Sequence, residues 1–191
     1  MTKALPFHRV FSDHDGSGDT FPGFLLVNHG RTETATPEDL AWSYAQNTLR
    51  SIEFGLENLG TPEAAFPALY MARHTLELYL KGLVPDWKSR RGDKTSHHID
   101  YLSDILRERL LEDYDEVEVG ALSDFLEQFA MLDPKGMAFR YRDGAVVSFG
   151  QAPLDAPEIW VDFVALRDAL TLTFEALDKV WRKNRQREAA E

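Results

Sequence analysis

One segment limits the possible folds of this chain more than any other, residues 68–83 with the sequence ALYMARHTLELYLKGL. As a helix it is apolar on almost every side, which is typical of a helix buried in the centre of a domain. The preceding Thr61-Pro62-Glu63 is a helix start, with a capping hydroxyl, a proline at the first position and an acid that favours the helix dipole. We therefore predict a central helix that runs to about Val84 and ends before Pro85.

The charged residues of this helix are spaced regularly. Arg73, Glu77 and Lys81 follow each other at i, i+4 and i+8, and His74 is adjacent, so the four are predicted to form one polar stripe. Two interpretations are open. The stripe is either an ion ladder that satisfies its own charges, with Glu77 between two cations, or part of a ligand site. In both cases we expect it to be buried and internally paired.

Further helical patterns lie on both sides of the central helix. Thr36-Pro37 predicts the start of a helix that runs to about residue 59 and ends at Gly60. Almost no loop lies between this helix and the central helix, so the two are predicted to form an antiparallel hairpin. Apolar residues at helical spacing predict two more helices, one from Ile99 to Leu110 and one around residues 122–132, joined by an acidic connector. Pro157 is predicted to open the last helix, which runs into a basic tail.

Two other regions are not predicted to be helical. Residues 1–35 lack helical periodicity and are interpreted as an N-terminal extended arm, so that residues 36–187 form a single domain. Asp143-Gly144, between short runs at 139–142 and 145–149, predicts a small β-hairpin. The predicted fold class is all-α, an antiparallel bundle of four or five helices with this hairpin before the last helix.

Composition excludes several functions. The chain has 191 residues, no cysteine and a net charge of −11, so it has no disulfides and no thiolate ligands, and it is not expected to bind DNA non-specifically. No apolar run approaches the roughly 20 residues of a membrane helix, so a cytoplasmic protein without membrane contact is expected. No phosphate-loop, dinucleotide-binding or zinc-protease motif occurs, and we predict no cofactor and no metal.

The order of several motifs resembles a known family. Residues 68–83, His97-x-Ile99-x-x-Leu102, FLEQFAMLD at 125–133 and Phe139-Arg140-Tyr141 are similar to bacterial members of the HEPN superfamily (higher eukaryotes and prokaryotes nucleotide-binding). The resemblance covers roughly residues 37–182. It implies an all-α bundle that is frequently dimeric. Family members include metal-independent ribonucleases, toxins of defence or toxin-antitoxin systems, partners of small nucleotidyltransferases, and versions without catalytic activity.

The ribonuclease branch of that family carries an arginine followed, a few residues later, by a histidine near a late helix. This chain departs from the pattern, because its last histidine is His98. Arg91 stands six residues before His97, but in the polar loop ahead of the third helix. If the chain is an enzyme, the catalytic candidates are His97 as acid or base and Arg91 or Arg140 as the cation that stabilises developing charge.

A ligand pocket is the alternative use of the same residues. Arg140 and Tyr141 pair a cation with an aromatic ring, a combination that can hold a phosphate and stack a base, and a salt bridge is the simpler interpretation of Arg140. The predicted pocket consists of residues from the central helix, the start of the third helix and the hairpin: Arg73, His74, Glu77, Lys81, His97, Arg140 and Tyr141.

Three functions follow from these patterns. We favour a binding module that engages a protein partner, such as a nucleotidyltransferase, or a nucleotide or RNA ligand. The alternatives are a metal-independent ribonuclease and a purely structural scaffold. A homodimer is expected as well, because aromatic residues on the last and first helices exceed what one small core needs to cover. These aromatic residues are Trp160, Phe163, Phe174 and Trp181, and Trp42, Tyr44 and Phe54.

Overall fold

Five α-helices account for most of the residues that the computed structural model describes, which are 36–58, 65–87, 89, 97–133, 136, 139 and 161–190. They are α1 (Pro37–Glu57), α2 (Ala65–Leu83), α3 (Ile99–Leu110), α4 (Glu116–Leu132) and α5 (Phe163–Glu188). These ranges contain no strand, and the prediction of an all-α fold is confirmed for them. The predicted arm at 1–35 and, apart from Phe139, the predicted hairpin lie outside the described residues.

Side-chain caps determine where two of these helices begin. Thr36 and Asp39 form a reciprocal capping box at the start of α1, as the Thr-Pro signal predicts. In the acidic connector, the Asp115 carboxylate accepts a hydrogen bond from the Val117 amide, at 2.8 Å, and caps α4. The connector therefore neutralises the positive end of the helix that follows it.

The start of α5 differs from the prediction. The helix begins at Phe163 and not at Pro157, because the Asp162 carboxylate accepts hydrogen bonds from the amides of Val164 and Ala165 and caps the chain at that point. An N-cap residue has an extended backbone, so helix cannot continue through it toward the N-terminus. The proline signal at 157 was a weaker determinant than this carboxylate.

Contacts between helices show their directions. Thr48 meets Thr75 at 2.9 Å. Glu38, at the start of α1, and Tyr79, late in α2, contact the same part of α5 through Arg185 and Asp178, so α1 and α2 run in opposite directions. The helices α2 and α3 run in the same direction. Arg73 in α2 donates to the carbonyl of His97 just before α3, whereas Arg109 near the end of α3 donates to the carbonyl of Leu83 at the end of α2.

The helix α2 is central, and its contacts confirm the prediction from its composition. It packs against α1, α3 and α5. Tyr79 is fully buried, its ring stacks on Phe174 at 5.6 Å between centroids, and its hydroxyl donates to Asp178 at 2.8 Å. Gly82 leaves the space that the indole of Trp181 occupies. None of the helices in the described part is both long and apolar enough to cross a lipid bilayer.

The aromatic residues of α5 are not the exposed surface that we expected. Phe174 and Trp181 belong to the core, with 4% and 9% of their surface exposed, and the ring of Phe163 packs on Gly55 of α1. Tyr44 is half-buried, and Trp160 lies outside the described residues. The aromatic side chains on the inner face of α5 pack against the central helix α2 and complete the core. For this reason the aromatic content of α5 did not predict an exposed surface.

Candidate functional site

The carboxylate of Glu77 is the centre of a buried cluster of charged side chains. Its Oε2 atom accepts from Arg73 Nη1 at 3.1 Å, and its Oε1 atom accepts from Lys81 Nζ at 2.6 Å. The same Oε1 atom lies 2.8 Å from His97 Nδ1. We call Arg73, Glu77, Lys81, His97 and Asp133 the Glu77 cluster. Three of the residues that the sequence placed in one stripe are therefore paired, and His97 joins them from the start of α3.

Arg73 connects the cluster to two other helices. Its guanidinium, only 2% exposed, donates from Nη2 to the carbonyl oxygen of His97 at 2.7 Å and from Nε to the carbonyl oxygen of Asp133 at 3.3 Å. The Asp133 carboxylate lies 3.3 Å from the same Nε. Buried charges are tolerated when they are paired and hydrogen-bonded, and each edge of this guanidinium has an acceptor. Arg73 thus fixes the segment before α3 and the end of α4 against α2.

Sequence reasoning missed Asp133 and Gly136. The Asp133-Pro134-Lys135-Gly136 segment indicated only a turn. In the structure Gly136 has a positive φ of 68°, and a β-carbon built on it would lie 3.0 Å from Arg73 Nη1. The glycine therefore lets the backbone pass over the guanidinium. The composition of the segment predicted a turn, but it did not indicate that the turn would lie against the side chain of Arg73.

His74 is not part of the Glu77 cluster. Its ring packs edge-on against Tyr44 of α1, with 4.9 Å between centroids, and stacks near Tyr70 at 6.0 Å. Successive residues on a helix are turned by about 100°, so Arg73 and His74 face different neighbours. The structure places His74 in the interface between α1 and α2, while the stripe faces α3 and the end of α4.

His97 is the most exposed member of the cluster. Its side chain is 60% exposed while that of Glu77 is 4% exposed, so a buried carboxylate holds a ring that faces solvent. With Nδ1 bound to Glu77, Nε2 forms no hydrogen bond to any described residue. A carboxylate behind an imidazole fixes the orientation of the ring. The arrangement can therefore donate a hydrogen bond to an anion or transfer a proton.

Lys81 is the second member that ligands can reach. It is 23% exposed, and its ammonium group also lies 5.1 Å from the centre of the Trp87 ring. Burial acts to raise the pKa of Glu77, but the hydrogen bonds and positive charges of Lys81 and His97 outweigh it and hold this pKa below its usual value. Glu77 therefore stays ionised, with the buried Arg73 and the half-buried Lys81 as its cationic partners.

The remaining predicted site residues have no structural description. Arg91, Arg140 and Tyr141 lie outside the described residues. Phe139, immediately before Arg140, is 7% exposed and belongs to the core.

In the part of the chain that the structure describes, the fold and the site define a helical domain in which a buried ion cluster orients the exposed His97. No family model matches the chain, and no curated protein or solved structure matches it.

Proposed function

We propose that this protein is a HEPN-like helical binding module that recognises the phosphate of a nucleotide or RNA through the exposed edge of the Glu77 cluster. The observation that carries the proposal is the 2.8 Å contact from His97 Nδ1 to the buried Glu77 carboxylate, which orients an imidazole that is 60% exposed. A protonated His97 next to Lys81 presents two cationic donors. Anionic ligands bind such charge-assisted donors strongly.

The burial of the cluster decides which residues touch the ligand. Arg73 cannot do so, because it is 2% exposed and donates to His97, Glu77 and Asp133. Its role is to position His97, whose carbonyl it holds. In this proposal Arg140 adds a cation and Tyr141 a stacking surface for a base. The net charge of −11 restricts phosphate binding to such a local site.

Further features belong to the same proposal. The proposal includes an antiparallel bundle with a β-hairpin before α5. It also includes an extended arm at 1–35 and a domain at 36–187. The order of helices along the chain agrees with this organisation. The family resemblance suggests a protein partner such as a nucleotidyltransferase and a toxin-antitoxin or defence context. The cytoplasmic location is inferred from the lack of an apolar run of membrane length. A homodimer is supported by two aromatic residues of α1 that remain exposed, Trp42 at 54% and Phe54 at 60%.

Fluorescence anisotropy with a labelled single-stranded RNA oligonucleotide, with ATP as competitor, tests the binding function. We expect His97→Ala to weaken binding by about tenfold, as the loss of one charge-assisted hydrogen bond predicts. His98→Ala is the matched control, because this neighbouring histidine faces Asp100 at 3.8 Å and lies outside the cluster. Arg140→Ala is expected to abolish binding. Equal binding by the wild type, His97→Ala and Arg140→Ala proteins would contradict the proposal.

One observation favours a second function, a metal-independent ribonuclease. A carboxylate-held histidine is a common acid–base arrangement, and His97 could take the proton of a ribose 2′-hydroxyl as its oxygen attacks phosphorus. The 5′-oxygen would leave with a proton from a second donor, and cleavage should persist with a chelator. We expect no such cleavage by the binding module. Cleavage that a chelator leaves intact and that His97→Ala removes from a folded protein would establish the enzyme. If neither binding nor cleavage occurs, the cluster is a structural scaffold.

A further inference from the structure

A concave surface lies where three helices end, apart from the Glu77 cluster. The last residues of α2, α3 and α5, which are Leu83, Leu110 and Glu188, all line one cavity with a volume of about 480 Å³. Cavities that bind small molecules have volumes of about 300–1,000 Å³. None of the residues of the Glu77 cluster lines this cavity.

The cavity combines an apolar floor with a polar group to which no described residue forms a hydrogen bond. Leu83, Leu110 and Val180 in the floor are buried core residues. Asn184, half-buried on α5, also lines the cavity, and its carboxamide makes no hydrogen bond to any residue that the structure describes. A few polar groups above an apolar floor are typical of sites that orient a small ligand.

The charges around the cavity favour a cation. Its two arginines are already engaged, since Arg109 pairs with Asp86 and donates to the carbonyl of Leu83, and Arg187 pairs with Asp113. The acids Glu112 and Glu188 also line the cavity, are exposed and form no ion pair with a described residue.

Helix geometry adds to this negative potential. The C-terminal end of a helix carries roughly half a negative charge, and the ends of α3 and α5 line the cavity together with that of α2, whose Leu83 carbonyl already accepts a hydrogen bond from Arg109. Glu112, Glu188 and these helix ends therefore act in the same direction on a charged ligand.

We propose that this cavity binds a small organic cation, an amine whose apolar body rests on the leucine and valine floor. Its ammonium group is placed toward Asn184, Glu112 and Glu188. The apolar body supplies the buried surface, and the carboxamide oxygen of Asn184 accepts a hydrogen bond from the ammonium group. This site is independent of the proposed function at His97.

A pair of ligands with the same ring and opposite charges tests the proposal on the full chain. Tryptamine and indole-3-acetate are titrated separately while the side-chain amide signals of Asn184 are followed by NMR. We expect saturable shifts with tryptamine and at least tenfold weaker binding of indole-3-acetate, because its carboxylate meets the acids and the helix ends.

Charge reversal supplies the matched variants. Glu112→Lys combined with Glu188→Lys changes two exposed residues and should weaken tryptamine binding by about tenfold. Glu175→Lys, an exposed acid of α5 that does not line the cavity, should leave it unchanged. Three results would overturn the proposal: no saturable shift with tryptamine, equal affinity for both compounds, or equal losses in the double variant and in Glu175→Lys.

Discussion

Replacing Glu77 with alanine removes the acceptor shared by three cationic or ionisable side chains. Lys81 and His97 are 23% and 60% exposed, so water can solvate both after the change. Arg73 is 2% exposed and cannot turn toward solvent. Its remaining partners are Asp133, at 3.3 Å, and the carbonyl of His97. The energetic cost therefore falls mainly on Arg73.

The magnitude follows from the burial of that guanidinium. Removal of one partner of a buried ion pair costs about 3–5 kcal/mol. Asp133 still neutralises part of the charge of Arg73. We therefore expect the lower value, so that Glu77→Ala decreases the free energy of unfolding by about 3 kcal/mol. Urea denaturation followed by circular dichroism measures it. Glu127→Ala, at an exposed position of α4, is the control and should change stability by less than about 0.5 kcal/mol.

The dependence on pH provides a second measurement of the same interaction. The pKa of Glu77 is lowered in the folded state, so the stabilisation is complete above the unfolded pKa of about 4.3 and is lost as the pH falls through the folded value. The wild type should therefore exceed Glu77→Gln in stability most at pH 6, and the difference should shrink in more acidic solution. A loss below about 1 kcal/mol in Glu77→Ala, or a difference that does not change with pH, would refute the reasoning.

Other substitutions test the packing, each by urea denaturation. Gly82→Ala should destabilise by about 1–3 kcal/mol, because the added methyl group would overlap the indole of Trp181. Gly120→Ala, on α4 with no atom within 4 Å of the new carbon, should stabilise by up to about 1 kcal/mol, and the opposite order of these two variants would contradict the packing. Gly136→Ala should cost about 1–2 kcal/mol, because its φ is 68° and the new β-carbon would lie 3.0 Å from Arg73 Nη1; unchanged stability would exclude this strain.

Local patterns predicted the helices well, because they depend on neighbours in the chain. The Thr36 cap, the spacing of apolar residues in α3 and the burial of α2 all follow from short-range rules. The predicted start of α5 was wrong because the sequence contains two local start signals, Pro157 and Asp162. Sequence alone does not show which of them is the stronger.

The site was only partly predictable for a different reason. The pairing of Arg73, Glu77 and Lys81 follows from helical spacing, and it was expected. The contact of Arg73 with Asp133 spans 60 residues, and no periodic pattern connects residues so far apart. The parallel course of α2 and α3 depends on the same kind of long-range packing.

The two backbone acceptors of Arg73 lie 24 and 60 residues away along the chain, on either side of α3 and α4. An intermediate that contains only the α1–α2 hairpin leaves this guanidinium in water, at little cost. Docking α3 without α4 buries the charge with Glu77 and the His97 carbonyl but without Asp133, which makes that intermediate less favourable than the complete domain. The arginine thus penalises partial assembly and makes the folding of three segments cooperative. His97 acquires its orientation only when that assembly is complete, so we expect this part of the surface to open with the whole domain and not as an independently fraying loop.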